Sequence, residues 1–242
     1  MQSNVAELPL HDKIWTWFES NKKPAFYGAV GLAAAGLVIW FLVWQKGEEQ
    51  VAAGEALSNV AAGQIEGITS RSGLAQAYLK VAADFPGTSA GARALLMAGG
   101  TFFTEGNYSE AQTQFERFMR EYPGTPPLRS DALLGIASSL DVQGKTDQAV
   151  NAYKDLIARH PNDVVIPQAK FNLAMIYEAQ NKPELARDLY EQVERAAPFT
   201  SFGNEAGMRL EELITKHPSL APPPPAPISL PLTNAPVAIP KK

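Results

Sequence analysis

Residues Ala92 to Pro123 read "ARALLMAGGTFFTEGNYSEAQTQFERFMREYP". Apolar residues recur at helical spacing on both sides of the polar stretch Thr104 to Tyr108, and a proline closes the unit. This predicts two helices joined by a tight turn. Proline has no N–H to give and disfavours helical geometry in the residue before it, so it stops the second helix. The pattern is copied along the chain: Pro86, Pro123, Pro161 and Pro198 lie 37, 38 and 37 residues apart, and Tyr78, Phe115, Tyr153 and Tyr190 each stand eight residues before one of them. Ala94, Ala132, Ala169 and Ala206 keep the same register. A period of this size marks a stack of supersecondary units, since one hairpin alone cannot bury its apolar face. Such an array points to an extended binding surface before a catalytic cleft.

Small residues fall where two helix backbones must approach: Gly99, Ala137 and Ala174 in the first helices, Ala111, Ala149 and Ala186 in the second. The aromatics are then expected to fill the space between hairpins. In the quoted unit Gly99, Phe102, Gly106, Tyr108, Ala111, Phe115 and Pro123 stand at the signature offsets of the tetratricopeptide repeat. Ala137, Leu140, Gly144, Ala149, Tyr153 and Pro161 follow suit, then Ala174, Tyr177, Ala186, Tyr190 and Pro198. The chain resembles that repeat family over about residues 65 to 217. Its period exceeds the usual 34 residues, and linkers such as "PGTPPLRS" absorb the excess. The resemblance implies an α-solenoid of helical hairpins whose first helices line a concave face.

The array has irregular edges, as capping units do. Residues 73–86 carry Tyr78, Val81 and Pro86 of a second helix, but the preceding "EEQVAAGEALSNVAAGQ" lacks the signature, which reads as a degenerate first hairpin. At the other end Ala206, Met208, Leu210, Leu213 and Ile214 make one amphipathic helix, a C-terminal cap.

Ala25 to Trp44, "AFYGAVGLAAAGLVIWFLVW", is twenty residues without a charge, enough to span about 30 Å of hydrocarbon as a helix. Trp15, Trp17, Trp40 and Trp44 flank it as an interfacial belt. A cleavable signal peptide is the competing reading, with "VAA" at Val51 to Ala53 as the small-residue site. Against it, the run exceeds the roughly 7–15 apolar residues usual there, and Lys46, Glu48 and Glu49 intervene. Lys13, Lys22 and Lys23 before the span, against Lys46 alone after it, predict a cytoplasmic N-terminus and repeats on the far side. The segment "DKIWTWFES" suits either a short interfacial helix or a plain leader.

A net charge of −4 and the lack of a basic stripe give no reason to expect nucleic acid. The sequence has no cysteine. That removes disulfides, thiolate metal sites and the acylated cysteine of a bacterial lipoprotein, including an outer-membrane lipoprotein of the repeat-bearing assembly type. Of His11, His160 and His217, the latter two precede prolines at helix ends, where a cation offsets the dipole. Asp141 and Glu178 share a repeat position, as carboxylates on a wet face do. No nucleophile arrangement, phosphate loop or metal-ligand spacing appears, so no catalytic, metal or cofactor-binding residue is assigned and an enzyme is not expected. The end, "PSLAPPPPAPISLPLTNAPVAIPKK", holds nine prolines in 25 residues. It is read as unable to form a helix or central strand, and as either a partly polyproline II tail or a recognition segment carrying Ile228, Leu230, Leu232, Val237 and Ile239.

The predicted class is therefore all-α, one N-terminal transmembrane helix followed by the repeat solenoid. The divisions are a leader (1–24), a transmembrane helix (25–44), the repeats (45–217) and the tail (218–242). This layout resembles the YfgM-like family of bacterial inner-membrane proteins, which implies a periplasmic scaffold ancillary to the SecYEG translocon and its chaperones, with lipid contact only through residues 25–44. A permanent subunit of a larger membrane complex, and a soluble periplasmic coordinator released by cleavage, stay open. Candidate partner-binding residues are the column Leu96, Leu134, Phe171 and Met208, with Arg93 beside it and Met175 one turn on from Phe171. Four apolar residues at one repeat position suit either an exposed strip for an apolar client or simple packing.

Overall fold

The computed structural model describes Trp17 and residues 21–63 and 71–221. Most of the leader and of the proline-rich tail, and the readings placed on them, lie outside these residues. Among the described residues the regular structure is helical throughout. The long α1 (Lys22–Ala61) is followed by α2 (Arg71–Asp84), α3 (Ser89–Thr104), α4 (Tyr108–Glu121), α5 (Pro126–Val142), α6 (Thr146–Arg159), α7 (Ile166–Ala179), α8 (Pro183–Ala196) and α9 (Ser201–Lys216). The chain divides into two compact units, residues 1–149 and 150–242, with the division inside α6.

Local chemistry fixes the helix ends. The helices α2, α4, α6 and α8 each stop two residues short of their proline, at Asp84, Glu121, Arg159 and Ala196. Within three hairpins the turn is one structure made three times. The residue after the first helix's cap has positive φ, 81° at Gly106, 73° at Gly144 and 55° at Asn181. The next N–H then bonds back to Phe102, Leu140 and Tyr177 carbonyls respectively, each at 2.9 Å, a six-to-one closure of the helix end. Thr88 and Thr200 cap α3 and α9 alike: each hydroxyl oxygen accepts from the N–H three residues on (Gly91 at 2.9 Å, Gly203 at 3.1 Å) and each hydroxyl donates back at 2.8 Å, to Phe85 O and Ala197 O.

The 40-residue α1 runs about 60 Å at the helical rise, and it does not break at Trp44. Lys22 to Ala52 are exposed wherever their side chains are described, and the apolar window of this helix is long and apolar enough to cross a membrane, with none of it buried. Trp40 stacks on Trp44, rings 6.4 Å apart. Beyond that point the same helix becomes the first helix of the degenerate hairpin. Ala53 and Val60 are buried, Ala56 and Leu57 pack on α2 and α3, and Gln50 Oε1 accepts from both the N–H and the hydroxyl of Ser89 at 3.1 Å.

In the first unit the core runs from Val60 through Tyr78, Leu95, Phe102, Phe115 and Phe118 to Ala132. In the second, Tyr153, Leu156, Tyr190, Val193 and Leu213 are almost fully buried. The chain from Pro218 does form one turn of 3-10 helix, Pro218–Leu220, contrary to the reading from proline content. Proline sits at its first position, where a missing N–H costs nothing, and Leu220 is buried against the end of α9.

Candidate protein-binding surface

The aromatic column is the packing pivot of each hairpin, and for Phe115, Tyr153 and Tyr190 partners come from a second column three residues after Ala132, Ala169 and Ala206: Gly135, Asn172 and Arg209. In the first unit Phe115 lies between Gly99 of α3 and Gly135 of α5. A Cβ on Gly99 would stand 2.7 Å from the Phe115 ring, and one on Gly135 would stand 2.5 Å from it. No side chain fits at either place. In the second unit the ring is a tyrosine and its neighbours are polar. Asn172 Nδ2 donates to the Tyr153 hydroxyl at 3.1 Å. Tyr190 donates its hydroxyl to Glu178 Oε2 at 3.0 Å, with Arg209 near enough for its charge to act on that hydroxyl. Burial first, then the Glu178 charge and hydrogen bond, push the Tyr190 hydroxyl well above the ordinary phenol range. It remains a donor at any physiological pH. Glu178 is thereby tied inside the hairpin, with Lys216 Nζ 3.9 Å from its other oxygen. Glu178 does more than the wet-face carboxylate reading allows. Asp141, at the same repeat position, is raised from 3.8 by burial alone.

The candidate column divides by burial. Leu134 (8 % exposed) and Phe171 (7 %) are core residues, Leu96 is half-buried, and Arg93, Met175 and Met208 are exposed. Phe171 packs between Tyr190 and Phe202, ring centroids 5.7 and 5.9 Å away, so at that position the side chain points at the hairpin's second helix and at the helix that follows. Met208 has the same repeat position and is 59 % exposed, because among the described residues no second helix follows α9. The four residues therefore do not make one exposed strip. Met175, with Glu178, Ala179 and Arg209, lines an open hollow of about 280 Å³. Met208 lines a second, of about 340 Å³, with Glu194, Gly203, Gly207 and Glu211. An exposed thioether framed by charged groups suits a protein segment of varied shape, since methionine adapts its rotamers at low cost.

Among the described residues no group of three His, Cys, Asp or Glu side chains is placed to hold a metal ion. His160 Nδ1 lies 3.5 Å from Asp163 at the end of α6, and His217 caps α9. Sequence reasoning missed the Gly135, Asn172 and Arg209 column, although its spacing of 37 residues repeats the register already found.

Tetratricopeptide repeat models match residues 93–125 and 134–200. The outer membrane protein assembly factor BamD of Caulobacter vibrioides is 29 % identical over 101 residues, covering 39 % of this chain and 33 % of that protein. The chain thus spans about a third of this relative's length. A tetratricopeptide repeat protein from Parabacteroides merdae superimposes with a TM-score of 0.51 at 14 % identity, covering 70 % of this chain and 61 % of the other. The MamA RS-1 ArsTM double mutant gives 0.52 at 13 %, covering 69 % and 84 %. These structural likenesses establish the fold, an all-helical array of tetratricopeptide repeats.

Proposed function

We propose that these repeats form a protein-binding scaffold held at the bacterial inner membrane by the apolar half of α1, with the N-terminus in the cytoplasm and the array in the periplasm. The observation that carries the reading is α1 itself. One uninterrupted helix is exposed from Lys22 to Ala52, apolar as far as Trp44, and packs into the repeat core over its last nine residues, from Ala53 on. A tether continuous with the first repeat holds that repeat at a set height above the bilayer. The lysine imbalance around the span supports the orientation.

Within the envelope, the layout favours an ancillary place beside the Sec translocon and the periplasmic chaperones that receive exported chains. A second reading is favoured by the similarity to BamD, whose name describes outer membrane protein assembly: this chain would serve the same assembly process from an apolar-helix anchor. Both readings predict protein partners and none predicts catalysis. Purification of the full chain from solubilised membranes, with photo-cross-linkers at Met175 and Met208, tests them. Translocon or chaperone adducts support the first, and outer-membrane assembly proteins support the second. Cross-linking no greater than at the exposed Asp155 would overturn the scaffold reading.

A further inference from the structure

In the first unit the two linkers between hairpins are the same turn written twice. Pro86, Gly87 and Thr88 follow Phe85, and Pro123, Gly124 and Thr125 follow Tyr122. In each, the threonine hydroxyl donates back to the carbonyl of the aromatic residue, at 2.8 Å to Phe85 and 2.9 Å to Tyr122. The Gly87 N–H donates to the Tyr122 hydroxyl at 3.3 Å, which sets the two turns side by side. Pro86, Gly87, Pro123 and Gly124 are exposed. The edge they form presents proline rings and bare glycine backbone, and the turns themselves carry no charge.

The level of this edge is fixed by α1. Gln50 accepts from the N–H and the hydroxyl of Ser89, the residue after Thr88, so the turns stand beside Gln50. As the next first helix of the array, α3 runs in the same sense as α1, and the turn ahead of it projects back toward Trp44. From Gln50 to Trp44, the end of the apolar run, is about 9 Å along the helix. A tryptophan at the end of a span sits at headgroup level, and the headgroup layer adds about 5–7 Å to the hydrocarbon on each side. A tilt of about 20° shifts a point one interhelical distance off the axis, about 10 Å, by only about 3 Å. The opposite edge, at the Gly106 turn, lies beyond the 16-residue α3, about 24 Å farther out.

We infer that the two Pro-Gly-Thr turns are a foot on which the first unit rests against lipid headgroups. This rests on the reading of α1 as a membrane anchor. An uncharged turn whose hydroxyls are already paired approaches the headgroups without stripping water from a charge. Asp84, Arg120 and Glu121, the exposed charges next to the turns in sequence, carry both signs, so the surface the foot fits is zwitterionic. Its consequence is that partners reach the first unit by its helix faces or its Gly106 edge, and not by its linkers.

The cysteine-free sequence allows single fluorescent labels on the full chain, inserted in phosphatidylcholine vesicles containing a small share of lipid with a nitroxide on its headgroup. Gly124→Cys marks the foot, where an added Cβ meets nothing within 4 Å. Ser109→Cys marks the exposed opposite edge, and Val43→Cys the end of the span. Val43 and Gly124 labels should be quenched at least threefold more than the Ser109 label. Strong quenching at Val43, with Gly124 quenched no more than Ser109, would overturn the foot and leave the anchor standing. No quenching at any of the three would overturn the anchor, and the foot with it. A second variant tests the role of α1. Seven alanines inserted after Gly47 lengthen the helix by about 10 Å and turn it by only about 20°, so Gly124 quenching should fall to the Ser109 level. Quenching that survives the insertion would also refute the foot.

Discussion

The aromatic position is solved in two ways in the two units. In the first, Phe115 is accommodated by subtraction: Gly99 and Gly135 withdraw their side chains, and the ring fills the space on both sides. In the second, Tyr153 and Tyr190 keep a hydroxyl and the facing residues supply polar partners, Asn172 for one and Glu178 for the other. One repeat position thus tolerates an apolar ring only with glycine walls and a phenol only with a hydrogen-bond partner. A buried hydroxyl without a partner would cost about 1–3 kcal/mol.

The largest effect should come from Phe115→Ala, about 3–5 kcal/mol of stability lost. Thermal unfolding of the full chain in detergent checks it, and a loss under about 1 kcal/mol would mean the ring is no pivot. Next, Tyr190→Phe should cost about 1.5–3 kcal/mol, because it leaves a partly buried carboxylate short of a donor. Tyr153→Phe, whose partner is the neutral Asn172, should cost about 0.5–1.5 kcal/mol. If both tyrosine changes were neutral, the contrast between the units would reduce to ring size. Gly135→Ala is the converse probe in the first unit: a methyl 2.5 Å from the ring should cost about 1–3 kcal/mol by overpacking, and its effect should vanish in a Phe115→Ala background.

The smallest effect has a sign that pH reveals. Burial raises Asp141 above 3.8, so as pH climbs past 3.8 the unfolded carboxyl ionises before the folded one and stability falls until the folded group has also ionised. Asp141→Asn should therefore raise the melting temperature at pH 7, and the gain should disappear below about pH 3.8, where both states are protonated. A gain independent of pH would point to a cause other than desolvation.

Much of this was legible before any coordinates. The prolines placed the ends of α2, α4, α6 and α8 because a missing N–H acts locally, and the alanine and aromatic columns gave the hairpin register because they repeat. What escaped depended on three-dimensional neighbours. Gly135 looks like an ordinary helix glycine until Phe115 is set against it. Asn181 fills the left-handed turn position that glycine holds at 106 and 144, a substitution that composition alone does not flag. Continuity past residue 44, by contrast, was legible, because no strong breaker stands between Trp44 and Gly63 except Gly47 and Gly54, and α1 continues to Ala61. For the candidate surface, the repeat position was found but its exposure was not. Phe171 and Met208 share a position and differ in burial: Phe171 packs on Tyr190 and Phe202, and among the described residues no second helix follows α9.

The claim on which the rest depends is that α1 holds the repeats outside the cytoplasm. Protease added to intact spheroplasts tests it most directly, read with antibodies to the N-terminal leader and to the repeats. The account predicts digestion of the repeats with the leader protected. Repeats that survive in intact spheroplasts and are cut only after lysis would contradict it.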